Sequence, residues 1–302
     1  MKLPSQVKIT EVGPRDGFQN IKAPIPTAVK QEVVDAIIAA GVKNIEVTSF
    51  VHPKAVPQMA DAAEVAQAAI AVQAAKGLSL FALVPNLTGA KKAYECGIRE
   101  VNCVISVSEK HNLANVNRTR EQSLADLAAI IAELPDLKVR LAAATVFGCP
   151  FAGSVPVEDV LSLVEAAVAA GVSSVTLCDT IGVGNPQQVH QISRLILGSF
   201  PDMPIALHLH DTRGMGLANT LAGLQAGITT FETSIGGLGG CPFAPGAAGN
   251  TATEDTVNML HAMGIATGID LARYLAAVDI VKAKIQPRLT GHMANACSFP
   301  GI

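Results

Sequence analysis

Eight times along its 302 residues the chain passes from a short β-branched run to a longer stretch with helical apolar spacing, often closed by a glycine. No other feature constrains the fold as much, because strands alternating with helices pair in parallel through right-handed crossovers. The strands are expected over 7–13, 44–50, 78–84, 100–106, 138–146, 174–180, 203–210 and 230–235. Helices are expected over 27–40, 61–76, a stretch ending near Cys96, 121–133, 156–170, 186–197 and 217–226, with an eighth after Gly249; residues 107–117 are expected to form a polar loop. Closing eight such units removes every exposed edge, which predicts a TIM (β/α)8 barrel over about residues 5–265 with a helical extension over about 266–302, all in one domain. An open, doubly wound sheet is the weaker alternative, since no G-x-G-x-x-G follows the first strand.

Composition narrows the function classes. A hydrophobic content of 49% with 16% charged residues suits an interior-rich enzyme fold and excludes a disordered chain. A net charge of -3 supplies no electrostatic reason to bind nucleic acid or an anionic membrane. No apolar run reaches the ~18 residues of a membrane span, and the N-terminal residues lack the apolar core of a signal peptide, so a cytoplasmic location is expected. The six cysteines, at 96, 103, 149, 178, 241 and 297, form no C-x-x-C pair and are expected to be reduced. Without secretion, the glycosylation patterns at Asn86 and Asn117 carry no weight.

In a barrel the polar residues that follow each strand converge on one face, whatever their separation in sequence. The first strand delivers Glu11, Arg15, Asp16 and Gln19, the second Glu46 and Ser49, and the sixth Asp179 and Thr180; of these Arg15, Gln19, Ser49, Asp179 and Thr180 are expected to contact substrate. The seventh ends in Leu207-His208-Leu209-His210-Asp211, where alternation sends both imidazoles to the same side. The eighth leads into a loop with Cys241 and Asn250. Asp16, His208, His210 and Asn250 together offer two nitrogens and two oxygens, a set suited to octahedral Mg²⁺ or Mn²⁺; Zn²⁺ would also fit. Taken alone, each has a plainer reading: Asp16 as a turn residue, Asn250 as a helix N-cap, a lone H-x-H as structural. Arg15 suits a carboxylate or enolate oxygen, or a salt bridge with Glu46 or Asp179. Cys241 follows four glycines in six positions and precedes Pro242, a setting more like a mobile loop than packed core; the other cysteines read as small buried hydrophobes.

Several segments match one family. Val12-Gly-Pro-Arg-Asp-Gly-Phe-Gln-Asn20, Ile45-Glu-Val-Thr-Ser-Phe-Val51 with Pro57-Gln-Met59, Asp179-Thr-Ile-Gly182, His208-Leu-His-Asp-Thr212, Gly237-Leu-Gly-Gly-Cys-Pro-Phe243 and Gly249-Asn-Thr-Ala-Thr-Glu-Asp255 resemble 3-hydroxy-3-methylglutaryl-CoA lyases nearly end to end. The glycine-rich cysteine loop is the most specific piece. The resemblance implies a metal on Asp16, His208, His210 and Asn250, catalytic roles for Arg15, Glu46 and Cys241, and a place for His208 near the proton-transfer path. It also implies an acyl-CoA thioester as substrate and leucine degradation as the setting.

The chemistry explains these residue types. A tertiary 3-hydroxyacyl thioester cleaves when its hydroxyl is deprotonated and the breaking carbon–carbon bond leaves an acetyl-CoA enolate. A metal would acidify the alcohol, Arg15 would shelter the developing charge, and the Cys241 thiol would protonate the enolate carbon. Products would be acetyl-CoA and a β-keto acid, acetoacetate for the parent substrate. The sequence departs from the family on the pocket wall. Ala142 stands where the family has a tyrosine, Asp-Thr-Arg-Gly-Met215 where it usually has Asp-Thr-Tyr-Gly-Gln, and the segment Val104 to His111 also differs. Arg213 could then contact a carboxylate, and a citramalyl-CoA or longer-chain 3-hydroxyglutaryl-CoA becomes an alternative substrate. A Claisen-type synthase of the same superfamily and a noncatalytic acyl-CoA-binding barrel are the rival readings. Ala-rich helical faces are compatible with a homo-oligomer without demanding one.

Overall fold

The computed structural model of the chain describes residues 3–240 and 249–296. Eight parallel strands close into a barrel in sequence order: β1 (Lys8–Glu11), β2 (Asn44–Ser49), β3 (Ser79–Leu83), β4 (Glu100–Ser106), β5 (Lys138–Ala144), β6 (Ser174–Asp179), β7 (Ile205–Leu209) and β8 (Thr230–Thr233), which pairs with β1. The helices are α1 (Thr27–Ala39), α2 (Ala62–Lys76), α3 (Leu87–Glu95), α4 (Glu109–Val116), α5 (Arg120–Glu133), α6 (Val157–Ala170), α7 (Pro186–Ser199), α8 (Gly216–Ala226), α9 (Thr253–Ala262) and α10 (Leu271–Lys284). The TIM barrel is the observed architecture, and the doubly wound sheet is excluded.

Two expectations need correction. Residues 107–117 are not merely a polar loop: α4 lies within them, capped by Ser108, whose hydroxyl accepts from the His111 amide, and ended by Asn117 in the left-handed region at φ 53°. Its polar composition hid the apolar period on which the reading relied. Asn250 does not cap the following helix, because α9 begins at Thr253 with Ala252 as its N-cap.

The strand period of two separates two interiors. Outward residues such as Leu141 and Ala143 pack with Leu127, Ile130, Leu163 and Val164 of the surrounding helices in the hydrophobic core. Inside the barrel, by contrast, Glu46, Asn102, Arg140, Thr176, His208 and Glu232 are all buried polar residues. Such groups persist in an interior only where they satisfy one another.

The C-terminal extension braces the rim at the C-terminal end of the barrel strands. Tyr274 of α10 donates its hydroxyl to buried Glu11, which also accepts from the Gly13 amide at 2.7 Å, the Ile235 amide at 2.9 Å and the Thr253 hydroxyl at 2.7 Å. Glu11, one of the polar residues expected at the rim, is therefore a structural anchor that ties β1 to the turn after β8, α9 and α10. Beyond α10, the amides of Thr290 and Gly291 both donate to the Gly236 carbonyl at 3.2 Å, holding the root of the glycine-rich loop.

Candidate metal-dependent active site

Asp16 is carried by a single wide helical turn, Gly13–Gly17, that starts directly after β1; the Asp16 amide donates back to the Val12 carbonyl at 2.7 Å. The two histidines leave the end of β7. Asn250, forty residues further on, is drawn alongside because its segment adds an antiparallel bridge to His210: the Asp211 amide donates to Gly249 and the Thr251 amide to Leu209. Gly239 permits the approach. Its φ is +121°, and a Cβ there would stand 2.3 Å from Asn250 Nδ2.

Asp16, His208 and His210 each present a ligand atom within 4.8 Å of the others. The Nε2 atoms of His208 and His210 are 3.2 Å apart, and His208 Nε2 lies 4.0 Å from Asp16 Oδ2. Two lone-pair nitrogens at that separation match the edge of an octahedron about one Mg²⁺, about 3 Å for ligands at about 2.1 Å. Asn250 Nδ2 donates to Asp16 Oδ2 at 2.6 Å and to the Leu238 carbonyl at 2.9 Å. Those two acceptors fix the amide's orientation and leave buried Oδ1 with no hydrogen-bond partner. An orphaned buried oxygen beside a carboxylate and two imidazoles is what a divalent cation would satisfy.

The protonation states of His210 and Asp16 agree with that donor set. Burial pushes His210 down to about 3, helped by His208, so its imidazole stays neutral, as a ligand must be. Burial opposes the charge on Asp16, but Arg15 and the two histidines outweigh it and hold the carboxylate below its usual range. For His208, burial is outweighed by the hydrogen bond to Glu232 and by Asp16, which raise its pKa.

Arg15 is clamped. Its Nε donates to Glu46 Oε2 at 2.6 Å, Nη2 reaches the same oxygen at 2.6 Å, and Nη1 donates to Asp16 Oδ1 at 2.5 Å. Of the two salt bridges considered for it, the Glu46 one forms and an Asp179 one does not. Burial works against the guanidinium, but Glu46 and Asp16 raise its pKa above the ordinary value, so it is a permanent cation. Glu46 itself is wholly buried and also accepts from Asn102 Nδ2 at 3.1 Å, which orients Arg15 from behind.

A cavity of about 650 Å³ opens on this cluster, within the range of small-molecule sites. Arg15, Asp16, Gln19, Ala142, Thr180, His208 and His210 line it. Gln19 donates to Asp16 Oδ1 at 3.1 Å, and the Thr180 hydroxyl accepts from the Thr145 amide at 2.7 Å. Three residues expected to contact substrate stand outside this wall. Asp179 accepts from the Val183 and Gly184 amides and so shapes a turn; exposed Arg213 donates to the carbonyls of Ile181 and Gly182; Ser49 is wholly buried. Cys241 lies outside the described residues.

Sequence reasoning missed Glu232, Arg140 and Asn102. Glu232 sits beside His208 in the β7–β8 register, and its Oε2 pairs with His208 Nδ1 at 3.2 Å. Its Oε1 accepts from Arg140 Nη2 at 2.7 Å and from the Thr176 hydroxyl at 3.0 Å. A carboxylate on Nδ1 selects the tautomer whose Nε2 is free to ligate. The signal available in the sequence was an acidic residue in the middle of an otherwise apolar and β-branched strand, Thr230-Phe-Glu-Thr-Ser-Ile235.

Comparison with known proteins places the chain in a family. The HMGL-like family model matches residues 6–281. The chain is 45% identical over 287 residues to the hydroxymethylglutaryl-CoA lyase YngG of Bacillus subtilis, spanning 94% of this chain and 95% of that one. It is 41% identical to the (R)-citramalyl-CoA lyase of Chloroflexus aurantiacus, spanning 92% and 91%. Among solved structures, an HMG-CoA lyase from Acinetobacter baumannii in complex with coenzyme A and 3-methylmalate superposes with a TM-score of 0.93 at 38% identity, covering 100% of this chain and 98% of that one. With the family model spanning nearly the whole barrel, the chain belongs to the HMGL-like family.

Proposed function

We propose that the protein is a carbon–carbon lyase that cleaves a 3-hydroxy-3-methylglutaryl-CoA-like thioester into acetyl-CoA and a β-keto acid, acetoacetate for the parent substrate. One observation carries the reading: Asp16, His208 and His210 converge beside a charge-locked Arg15 at the wall of one cavity, and Asn250, with its orphaned Oδ1, is bonded to Asp16. Relatives named as hydroxymethylglutaryl-CoA lyases support it.

A divalent cation held by Asp16, His208, His210 and Asn250 would supply a Lewis acid that acidifies the tertiary hydroxyl; the oxygen and imidazole donors suit Mg²⁺ or Mn²⁺. The chain's own residues do the rest. Arg15, unable to pass charge to Glu46 or Asp16 at any working pH, donates to the thioester oxygen as it becomes an enolate oxygen. Because Glu46 and Asp16 already hold the guanidinium in place, little reorganisation accompanies that charge. The hydroxyl proton passes to solvent beside His208, whose Nε2 would be committed to the cation and whose Nδ1 is held by Glu232. The bond between the carbinol carbon and the adjacent CH₂ breaks, its electron pair enters the thioester, and Cys241 returns a proton to that carbon.

Mass spectrometry of products from 3-hydroxy-3-methylglutaryl-CoA, with and without chelation, tests the proposal. Acetyl-CoA and acetoacetate that vanish on metal stripping and return with Mg²⁺ or Mn²⁺ are the expected result. Full turnover by exhaustively stripped protein would remove the metal assignment. Citramalyl-CoA belongs in the same panel, because a relative with that named activity is 41% identical.

A further inference from the structure

Among the described residues, two that are not glycine stand in the left-handed region. Asn117 is one, and it closes α4 as asparagine often does. The other is Thr145, at φ 62°, directly after β5 at the C-terminal end of the barrel. A β-branched residue there is an outlier, because its side chain crowds the backbone, and such strain persists only where the surroundings hold it. Thr145 is wholly buried and held on two sides. Its hydroxyl donates to the Ala144 carbonyl at 2.7 Å and accepts from the Ser108 amide at 3.2 Å.

In an extended strand consecutive amides point to opposite neighbours, so β6 would receive only one of any two. Here it receives both. The Thr145 amide donates to the Thr180 hydroxyl at 2.7 Å, and the Val146 amide to the Cys178 carbonyl at 3.2 Å. Extended backbone at 145 would swing one of the two away. Side-chain alternation puts Thr180 in line with Thr176 and Cys178 on the lumen face of β6. Thr176 bonds Glu232 inside the barrel, while Cys178 and Thr180 line the cavity. Cys178 is level with His208 in the β6–β7 register, and the same register carried two residues on brings Thr180 level with His210. On the other side of β6, β5 presents Ala142 and Ala144, small residues that line the same cavity. A hydroxyl carries one proton and two lone pairs. With the Thr145 amide on one lone pair, and no acceptor for its proton among the described residues, the Thr180 hydroxyl donates into the cavity.

Building on the lyase reading above, we infer that Thr145 is a positioning residue: its left-handed backbone, locked by its own hydroxyl, holds the Thr180 hydroxyl as an oriented donor to an oxygen of the substrate's acyl group, which lies over Ala142 and Ala144 beside the metal ligands. A donor fixed before the substrate arrives has no rotor to order on binding, which is what the strain at Thr145 secures.

The test measures kcat/KM for 3-hydroxy-3-methylglutaryl-CoA and citramalyl-CoA in the wild type, Thr180→Val, Thr145→Val, Thr145→Gly and the double variant Thr145→Val/Thr180→Val. Circular dichroism and Mn²⁺ calorimetry check that each folds with its metal site intact, and Thr145→Ala replaces Thr145→Val should the latter not fold. Thr180→Val and Thr145→Val should each lower kcat/KM about tenfold or more, the loss expected for a hydrogen bond to a charged group. Because the first residue acts through the second, the double variant should fall no further than the worse single one. Thr145→Gly should recover most of the loss, although glycine resembles threonine less than valine does, because it adopts the left-handed region at no steric cost. Additive losses in the double variant, or a glycine variant no better than the valine one, would assign Thr145 to the fold alone and overturn the inference. Wild-type kcat/KM in Thr180→Val overturns it also, with the lyase reading intact. No cleavage of either thioester by the wild type would defeat the lyase reading itself.

Discussion

Replacing Glu232 with Gln isolates the group that orients His208. The amide is isosteric with the carboxylate but cannot serve both neighbours. With its oxygen toward His208 Nδ1, its NH₂ faces Arg140 Nη2, a donor now 2.7 Å away. With its oxygen toward Arg140, its NH₂ faces His208 and demands the tautomer that protonates Nε2, the nitrogen meant for the metal. Losing a partner of this kind weakens metal binding by about 10- to 100-fold, or about 1.4–2.7 kcal/mol. The substitution also strands Arg140, whose other acidic neighbour, Glu100, lies 3.7 Å from Nη1. A buried charge left without its partner costs about 3–5 kcal/mol, so the stability loss exceeds the metal effect and would mask it in a simple activity assay. The double variant Glu232→Leu/Arg140→Met, which removes the stranded cation and leaves His208 Nδ1 without its acceptor, separates the two. Removing the stranded cation should restore most of the stability, read by urea unfolding of metal-free protein, while Mn²⁺ affinity, read by calorimetry, stays about 10-fold or more below wild type. Wild-type Mn²⁺ affinity in Glu232→Gln, or recovery of affinity in the double variant, would refute the orienting role.

Cys241→Ser should leave fold and metal content intact while lowering kcat by about 10²–10⁴-fold in steady-state assays, the usual range for losing a general acid. Glu254 is pushed by burial up to about 8, so as pH rises from its ordinary 4.5 the unfolded chain gives up a proton that the folded chain retains. Folding stability contributed by this group therefore falls across that window, and unfolding curves of Glu254→Gln should show a stability gain that grows toward the upper end; a pH-independent difference would disprove the titration. Tyr274→Phe removes one donor from the buried Glu11 carboxylate and should cost about 1.5–3 kcal/mol in thermal or urea unfolding with unchanged metal affinity; a matching loss of metal affinity would mean that the anchor reaches the site.

What the sequence determined by itself was whatever depends on local period and on strand ends. A parallel barrel was legible because each run of residues reports which of its faces is buried, and eight such runs have few ways to close. His208 and His210 were legible as a pair for the same reason, since a period of two places them side by side, and Asp16 and Arg15 follow from lying just past β1. Short α4 was not legible, because its stability comes from the Ser108 cap and from its neighbours rather than from an apolar stripe of its own. Only the closed barrel decided which polar residues meet across it. Glu232 reaches His208 through strand register and Arg140 across the lumen, contacts spanning 24 and 92 residues. Asn250 was a ligand candidate from its place after β8, but only the bridge of its backbone to His210 accounts for how it comes alongside. The same geometry commits Asp179 and Arg213 to the loop after β6. Periodicity specifies a face, but which groups share that face, and at what distance, are set by how all eight strands close together.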